Sequence, residues 1–284
     1  MNAITSAAPA RFAAPSRPRA LASRARDIAV LARRNLVHIA REPLQLSDVT
    51  VQPVLFTLLF VYVFGAGVVL PGGGSYTSFA IAGLLALNLT TSSMGTAVGL
   101  STDLGSGVID RFRTLAMWRP AVLVGRTLAD FLTAAICSGF VAATGLLVGW
   151  RPEGGVLSTL AGFGVFLLFS YALSWGCGCL GMISKGPESA QSIGLVIMFP
   201  LAIVSNALVP TQHMPALLRT IADWNPVSAV TAAARELFHN PNPSANIHVW
   251  PMQHPVLASL LWSLALIAVF APTATWLYRR RTTD

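Results

Sequence analysis

Six apolar runs divide the chain, at about 50–70, 77–100, 121–149, 156–183, 190–209 and 256–278. Each holds roughly 20 residues or more, which as an α-helix covers the ~30 Å hydrocarbon core of a bilayer. Several connections between them are short and made of helix breakers: PGGGSY after the first run, WRPEGG after the third, SKGPES after the fourth. The pattern predicts an all-α, polytopic membrane protein with six transmembrane helices.

Three segments outside the runs carry a different period. In residues 24–42, RARDIAVLARRNLVHIARE, one helical side collects Ile28, Leu31, Ala32, Leu36 and Ile39 and the other Arg26, Arg33, Arg34 and Arg41, with Val30 and Val37 out of place. This predicts an amphipathic helix lying on the membrane surface and ended by Pro43. In GVIDRFRTLAM, 107–117, the residues Val108, Ile109, Phe112, Leu115 and Ala116 share one face, while Asp110, Arg111, Arg113 and Thr114 point elsewhere. Gly105, Gly107 and Pro120 mark its borders, so it reads as a short surface helix joining the second and third spans. The long loop 210–255 contains MPALLRTIADWNP and PVSAVTAAARELFHNP, which predict two Pro-bounded helices within 213–240. They either cap one membrane face, re-enter it, or lie along the interface. Residues 1–23, rich in Ala, Pro, Ser and Arg, are expected to be a disordered tail without the apolar core of a signal peptide, and 24–284 to form one membrane domain.

Composition agrees with the pattern. The chain is 54% hydrophobic and 11% charged, against about a quarter charged in a soluble domain. The net charge of +8 comes almost wholly from Arg, Lys185 being the single Lys, and without aromatic interleaving it predicts topology and not nucleic-acid binding. With both termini in the cytoplasm, sixteen basic residues fall on the cytoplasmic side. Only Arg151, Arg219 and Arg235 fall outside. That orientation puts 107–117 in the cytoplasm and the 210–255 loop outside a plasma or inner membrane.

The chain lacks the residues for several chemistries. A P-loop needs G-x-x-x-x-G-K-[ST], and Lys185 stands in ISKGPE. Ion coupling would need ionisable groups deep in the spans; Asp48 and Asp130 lie near span ends, Asp130 one turn from Arg126. Ser138 has no His on another span, HExxH is missing, and Cys137, Cys177 and Cys179 read as packing thiols, so neither a catalytic nor a metal site is expected. The spans do carry isolated polar residues: Gln52, Tyr62, Asn88, Thr91, Ser92 and Asn206. Such groups line a path for an amphipathic substrate or hydrogen-bond a neighbouring helix.

Three stretches resemble the membrane subunit of ABC type-2 exporters, the daunorubicin-resistance type of permease above all. They are LARRNLVHIAREPLQLSDVTVQPVLFTLLFVYVFG, GVIDRFRTLAMWRPAVLVGRTLAD and ALVPTQHMPALLRTIADWNPVSAVTAAARELF, in the family's order and together spanning most of the chain after residue 24. The resemblance implies a permease subunit exporting hydrophobic or amphipathic compounds such as a drug, antibiotic or lipid-like metabolite. It implies a homodimer or heterodimer of permeases in the lipid bilayer with two copies of a cytoplasmic ABC ATPase subunit. ATP and Mg would bind that partner, and this chain no cofactor. It further implies ATPase coupling through Asp110, Arg111, Phe112 and Arg113, supported by Arg33, Arg34, Arg41 and Glu42. Where family members often have Glu, this chain has Asp110, shorter by one methylene. An ATP-independent membrane scaffold or assembly factor, and a secondary transporter, remain the alternatives.

Overall fold

Proline and glycine set the helix borders. A computed structural model of the chain describes residues 17–65, 67, 70, 73–106 and 121–281. Helix α1, Arg17–Arg41, starts inside the segment expected to be a tail and stops before Pro43, which opens α2, Pro43–Leu59. A proline at the first helical position gives up no hydrogen bond there, and the same device starts later helices. One wider turn, Phe60–Phe64, prolongs α2. Then come α3, Tyr76–Ser92; α4, Met94–Gly105; α5, Ala121–Leu147; and α6, Gly155–Ile183. Helix α7 is Pro187–Ile203, α8 Ala216–Trp224, α9 Pro226–Phe238, α10 Trp250–Gln253 and α11 Pro255–Arg281. Among the described residues there is no strand. The expected helix 107–117, and residues 1–16 of the expected tail, lie outside them.

Among the described residues five helices are long and apolar enough to cross a membrane: Pro43–Phe64, Tyr76–Gly105, Val122–Leu147, Gly155–Ile183 and Pro255–Arg280. The run expected over 190–209 instead forms α7, 17 residues long or about 25 Å. The chain leaves the helix at Val204 because the polar residues that follow are drawn into the protein. Ser205 Oγ donates back to the Ala202 carbonyl, and Asn206 is 1% exposed.

The bundle is centred on α3 and α4, whose most apolar window is 61% buried, against 17% for α2 and for α11 at the periphery. Between α3 and α4 the helix is interrupted at Ser93. The hydroxyls of Thr90, Thr91 and Ser93 each donate to the carbonyl four residues back, at 2.7, 3.0 and 2.8 Å. Consecutive back-bonds of this kind bend a helix. The hydroxyl run of the second span thus mostly bonds its own backbone.

One core forms where α3, α5, α6 and α9 meet, with Ile81, Leu85, Phe166, Phe169, Val230 and Phe238 buried. The Phe238 ring meets Trp150 edge-on at 5.3 Å between centroids and Phe163 at 5.4 Å. A second core, at the α1 end, joins Leu31 to Leu100, Leu123, Trp175, Met182 and Tyr278. In lipid such contacts gain little from the hydrophobic effect, so close backbone approach has to hold the helices together. At Gly83 of α3 the backbone runs so near the Ala207 carbonyl that any Cβ would overlap it.

Candidate functional site

The end of the bundle that carries α1 holds two ion pairs, Arg34–Asp103 and Arg126–Asp130. Leu31 and Ala32 are buried against the bundle, and the opposite side of α1 leaves Arg33 and Arg41 exposed. Between these faces Arg34 reaches α4 and donates to Asp103 Oδ1 at 2.9 Å. Glu42, exposed after α1, accepts from Gln45 Nε2.

A second cation ties α4 to α5. Arg126 Nε pairs with Asp130 Oδ2 at 3.3 Å, one turn along α5, and its Nη2 donates to the Gly95 carbonyl at 2.7 Å. Thr96 of α4 donates to the same Asp130 oxygen. The guanidinium lies across Gly99, where an added Cβ would overlap it. Glycine therefore makes the slot that admits a charged fork between two apolar helices. Arg126 and Asp130, placed one turn apart by the sequence, are an ion pair in the fold.

These contacts join α1, α4 and α5 at the point where 106–120 connects α4 to α5. Asp110, Arg111, Phe112 and Arg113 belong to that connection and lie outside the described residues.

The six polar span residues do not gather at one place. Gln52 and Tyr62 are exposed on α2 and its wider turn. Asn88 Oδ1 accepts from Ser92 Oγ at 3.2 Å and from the Cys137 thiol of α5 at 2.8 Å. Thr91 bonds its own helix, and Ser92 is exposed. Asn206 sits elsewhere, with Nδ2 donating to Ser244 Oγ at 2.9 Å and its backbone N–H to Ser228 Oγ at 2.9 Å. Cys137, Cys177 and Cys179 are buried free thiols, and among the described residues no cluster of three or more His, Cys, Asp or Glu could hold a metal.

The other end contains a buried joint that sequence reasoning missed. Arg235, in α9, is 0% exposed. Its fork donates to the carbonyls of Phe79 at 3.2 Å, Asn206 at 3.0 Å and Ala207 at 2.7 Å, and its carbon lies 3.7 Å from the centre of the Phe79 ring. Burial pushes the Arg235 guanidinium down from its ordinary value to about 9, so the side chain stays a cation at neutral pH. Asn225 completes the joint. Its Oδ1 accepts from the Val227 N–H at the start of α9, while Nδ2 donates to the Leu201 and Val204 carbonyls at the end of α7, at 2.7 and 2.6 Å. One amide thus caps two helices. The usable signal for Arg235 was its register, two turns after Val227 and one after Thr231, on the buried side of α9. For Asp103 it was a carboxylate just past the apolar run.

Charged links thus fasten α1, α4 and α5 together at one end, and the Arg235 and Asn225 bonds fasten α3, α7 and α9 at the other. Residues 26–239 match the ABC-2 type transporter family. The daunorubicin resistance ABC transporter permease protein DrrB1 of Streptomyces coeruleorubidus is 34% identical over 239 residues, covering 84% of this chain and 81% of its own. A probable doxorubicin resistance ABC transporter permease protein, DrrC of Mycobacterium tuberculosis, is 24% identical over 253 residues, covering 88% of this chain and 87% of its own. The putative transport permease ycf38 of Porphyra purpurea is 26% identical over 223 residues, 75% of this chain and 74% of its own.

Proposed function

Since the chain belongs to the ABC-2 type transporter family, we propose that it is the permease subunit of an exporter that moves hydrophobic or amphipathic compounds out of the cell. ATP, with Mg, is bound and hydrolysed by two copies of a separate cytoplasmic ATPase subunit. The permease works as a dimer with itself or a second permease. Both termini are cytoplasmic, α7 completes six spans, and the α8–α9 end faces outward, in keeping with the Arg bias of the sequence. Two relatives named for daunorubicin and doxorubicin resistance support a drug or drug-like metabolite as cargo.

The observation that carries this reading is the tie between Arg34 and Asp103. An ATPase that docks on the exposed Arg33, Arg41 and Glu42 of α1, and on Asp110, Arg111, Phe112 and Arg113, would pull on α4 and α5 through that tie and through Arg126. Pathway lining by Gln52, Tyr62, Asn88, Thr91 and Ser92 is part of the proposal, Gln52, Tyr62 and Ser92 being exposed on α2 and α3. Asn206, buried in the Arg235 joint, serves to hold that joint.

The test is capture of the partner. Tagged full-length permease purified from native membranes in mild detergent should retain a P-loop ATPase chain, and Arg33→Glu/Arg41→Glu should lose it while keeping its melting temperature. A purified permease that carries no ATPase under any crosslinking condition, yet still transports, favours the secondary-transporter reading.

A further inference from the structure

Helix α8 turns its apolar side away from the protein. Leu217 is 75% exposed, Ile221 51% and Trp224 52%, and the segment leading to it exposes Ile203 and Val209 as well. A short helix with exposed Leu, Ile and Trp, at the end of a set of spanning helices, is built to lie in the membrane interface.

Beside it lies a cavity of about 440 Å³ lined by Gln212, Arg219, Thr220 and Asp223, by Ile247 and Val249, and by Trp224, which borders both the cavity and the apolar surface. Asp223 is 3% exposed, and Thr211 donates to its Oδ1 at 2.9 Å, leaving Oδ2 open to a ligand. Gln212 Nε2 donates to the Pro243 carbonyl at 2.9 Å, which leaves the amide oxygen as an acceptor. The Arg219 guanidinium makes no hydrogen bond or ion pair within 4 Å among the described residues, and its charge acts on Asp223 only from a distance. One cavity therefore presents a cation and a largely buried anion that feel each other's charge without a direct ion pair, at the edge of an apolar surface. A ligand that fits both must itself carry both charges, and it must also have an apolar part.

We propose that this cavity binds the headgroup of an outer-leaflet phospholipid bearing a primary amine, of the phosphatidylethanolamine type. The phosphodiester sits on Arg219, the ammonium donates to Asp223 Oδ2 and Gln212 Oε1, and the acyl chains run beside Leu217 and Ile221. A quaternary amine has no N–H to donate to either oxygen. A purely anionic headgroup would bring its phosphate against Asp223 with nothing to answer the carboxylate. The proposal rests on the reading of the α8–α9 end as the outer face. Lipid retention requires neither the ATPase nor the cargo, so failure here leaves the exporter reading standing, and failed ATPase capture leaves this one standing.

The experiment is native mass spectrometry of the full-length permease, stripped of lipid in detergent and offered dioleoyl phosphatidylethanolamine, phosphatidylcholine and phosphatidylglycerol in equal amounts. The wild type should retain phosphatidylethanolamine about tenfold over the others. Arg219→Ala, at an exposed position that should not affect folding, and Asp223→Asn, which keeps the Oδ1 acceptor for Thr211, should each abolish the preference without lowering the melting temperature of the lipid-free protein. Gln212→Leu should weaken it several-fold. Equal retention of the three lipids by the wild type overturns the proposal, as does a preference that survives both Arg219→Ala and Gln212→Leu. Displacement of the lipid by an equal concentration of glycerophosphoethanolamine would place the ligand in solution and overturn the lipid source.

Discussion

Arg34 and Asp103, 69 positions apart in the chain, meet at 2.9 Å and fasten the surface helix α1 to the end of α4. The arginine is 39% exposed along its side chain, so the pair stabilises the fold by only about 0.5 kcal/mol. Its weight lies in position, since α4 leads straight into the connection that holds Arg111 and Arg113. Arg34→Asp or Asp103→Arg should leave the melting temperature within a few degrees and uncouple ATP hydrolysis from transport several-fold. The double exchange, Arg34→Asp with Asp103→Arg, should restore most of the coupling. Stimulation of ATPase activity by cargo in proteoliposomes reads both.

The Arg126–Asp130 pair is more deeply placed, with side chains 17% and 14% exposed. Arg126→Met strands a carboxylate between apolar helices and should destabilise by about 3 kcal/mol. Combining it with Asp130→Leu should recover most of the loss, because two well-packed apolar groups replace two desolvated ions. Gly99→Val should mimic Arg126→Met by filling the slot the guanidinium crosses. Thermal melting in detergent should separate the double variant from the two that lose the pair.

Arg235 allows no conservative exchange. Replacing it with Met leaves the carbonyls of Phe79, Asn206 and Ala207 buried without their donors, a loss of about 3 kcal/mol or more. Arg235→Lys should fail nearly as badly, since an ammonium cannot span the carbonyls that the planar fork joins or stack as well on Phe79. Both should show as reduced yield of folded protein and a lower melting temperature, with ATPase capture intact in whatever folds.

The difference between these residues explains how far the sequence could be read. The two faces of α1, the long apolar helices and the Arg126–Asp130 pair follow from spacing along one helix, and each is present in the fold. Arg235 and Asn225 are bonded to segments about 20 to 160 positions away, and no local pattern encodes such partners. The apolar run to 209 looked like a full span because its helix ends through bonds from Asn225, which lies beyond it. The Asn88, Thr91 and Ser92 group was visible as polar, but its tendency to bond its own helix depends on geometry that spacing does not show.

Asp223 gives a pH signature. Burial raises its carboxyl above the ordinary 3.8, outweighing the lowering by the Thr211 hydrogen bond and the Arg219 charge. A raised carboxyl pKa means the folded state binds the proton more tightly than the unfolded one. Stability therefore falls as pH rises from 3.8 through the folded-state value. Asp223→Asn should match the wild type below pH 3.8 and melt higher than it at pH 7, in lipid-free detergent. Added phosphatidylethanolamine should raise only the wild-type melting temperature at pH 7.

The central claim is that this chain is driven by a partner's ATP hydrolysis through the end of the bundle that carries α1. Uptake of a fluorescent anthracycline into inside-out membrane vesicles containing the permease and its captured ATPase tests it most directly. The account predicts uptake that needs ATP and Mg, persists when a protonophore collapses the proton gradient, and falls at least tenfold in Arg111→Glu/Arg113→Glu with normal membrane insertion. Uptake that proceeds without ATP and vanishes with the protonophore, or ATP-driven uptake untouched by the double substitution, would contradict it.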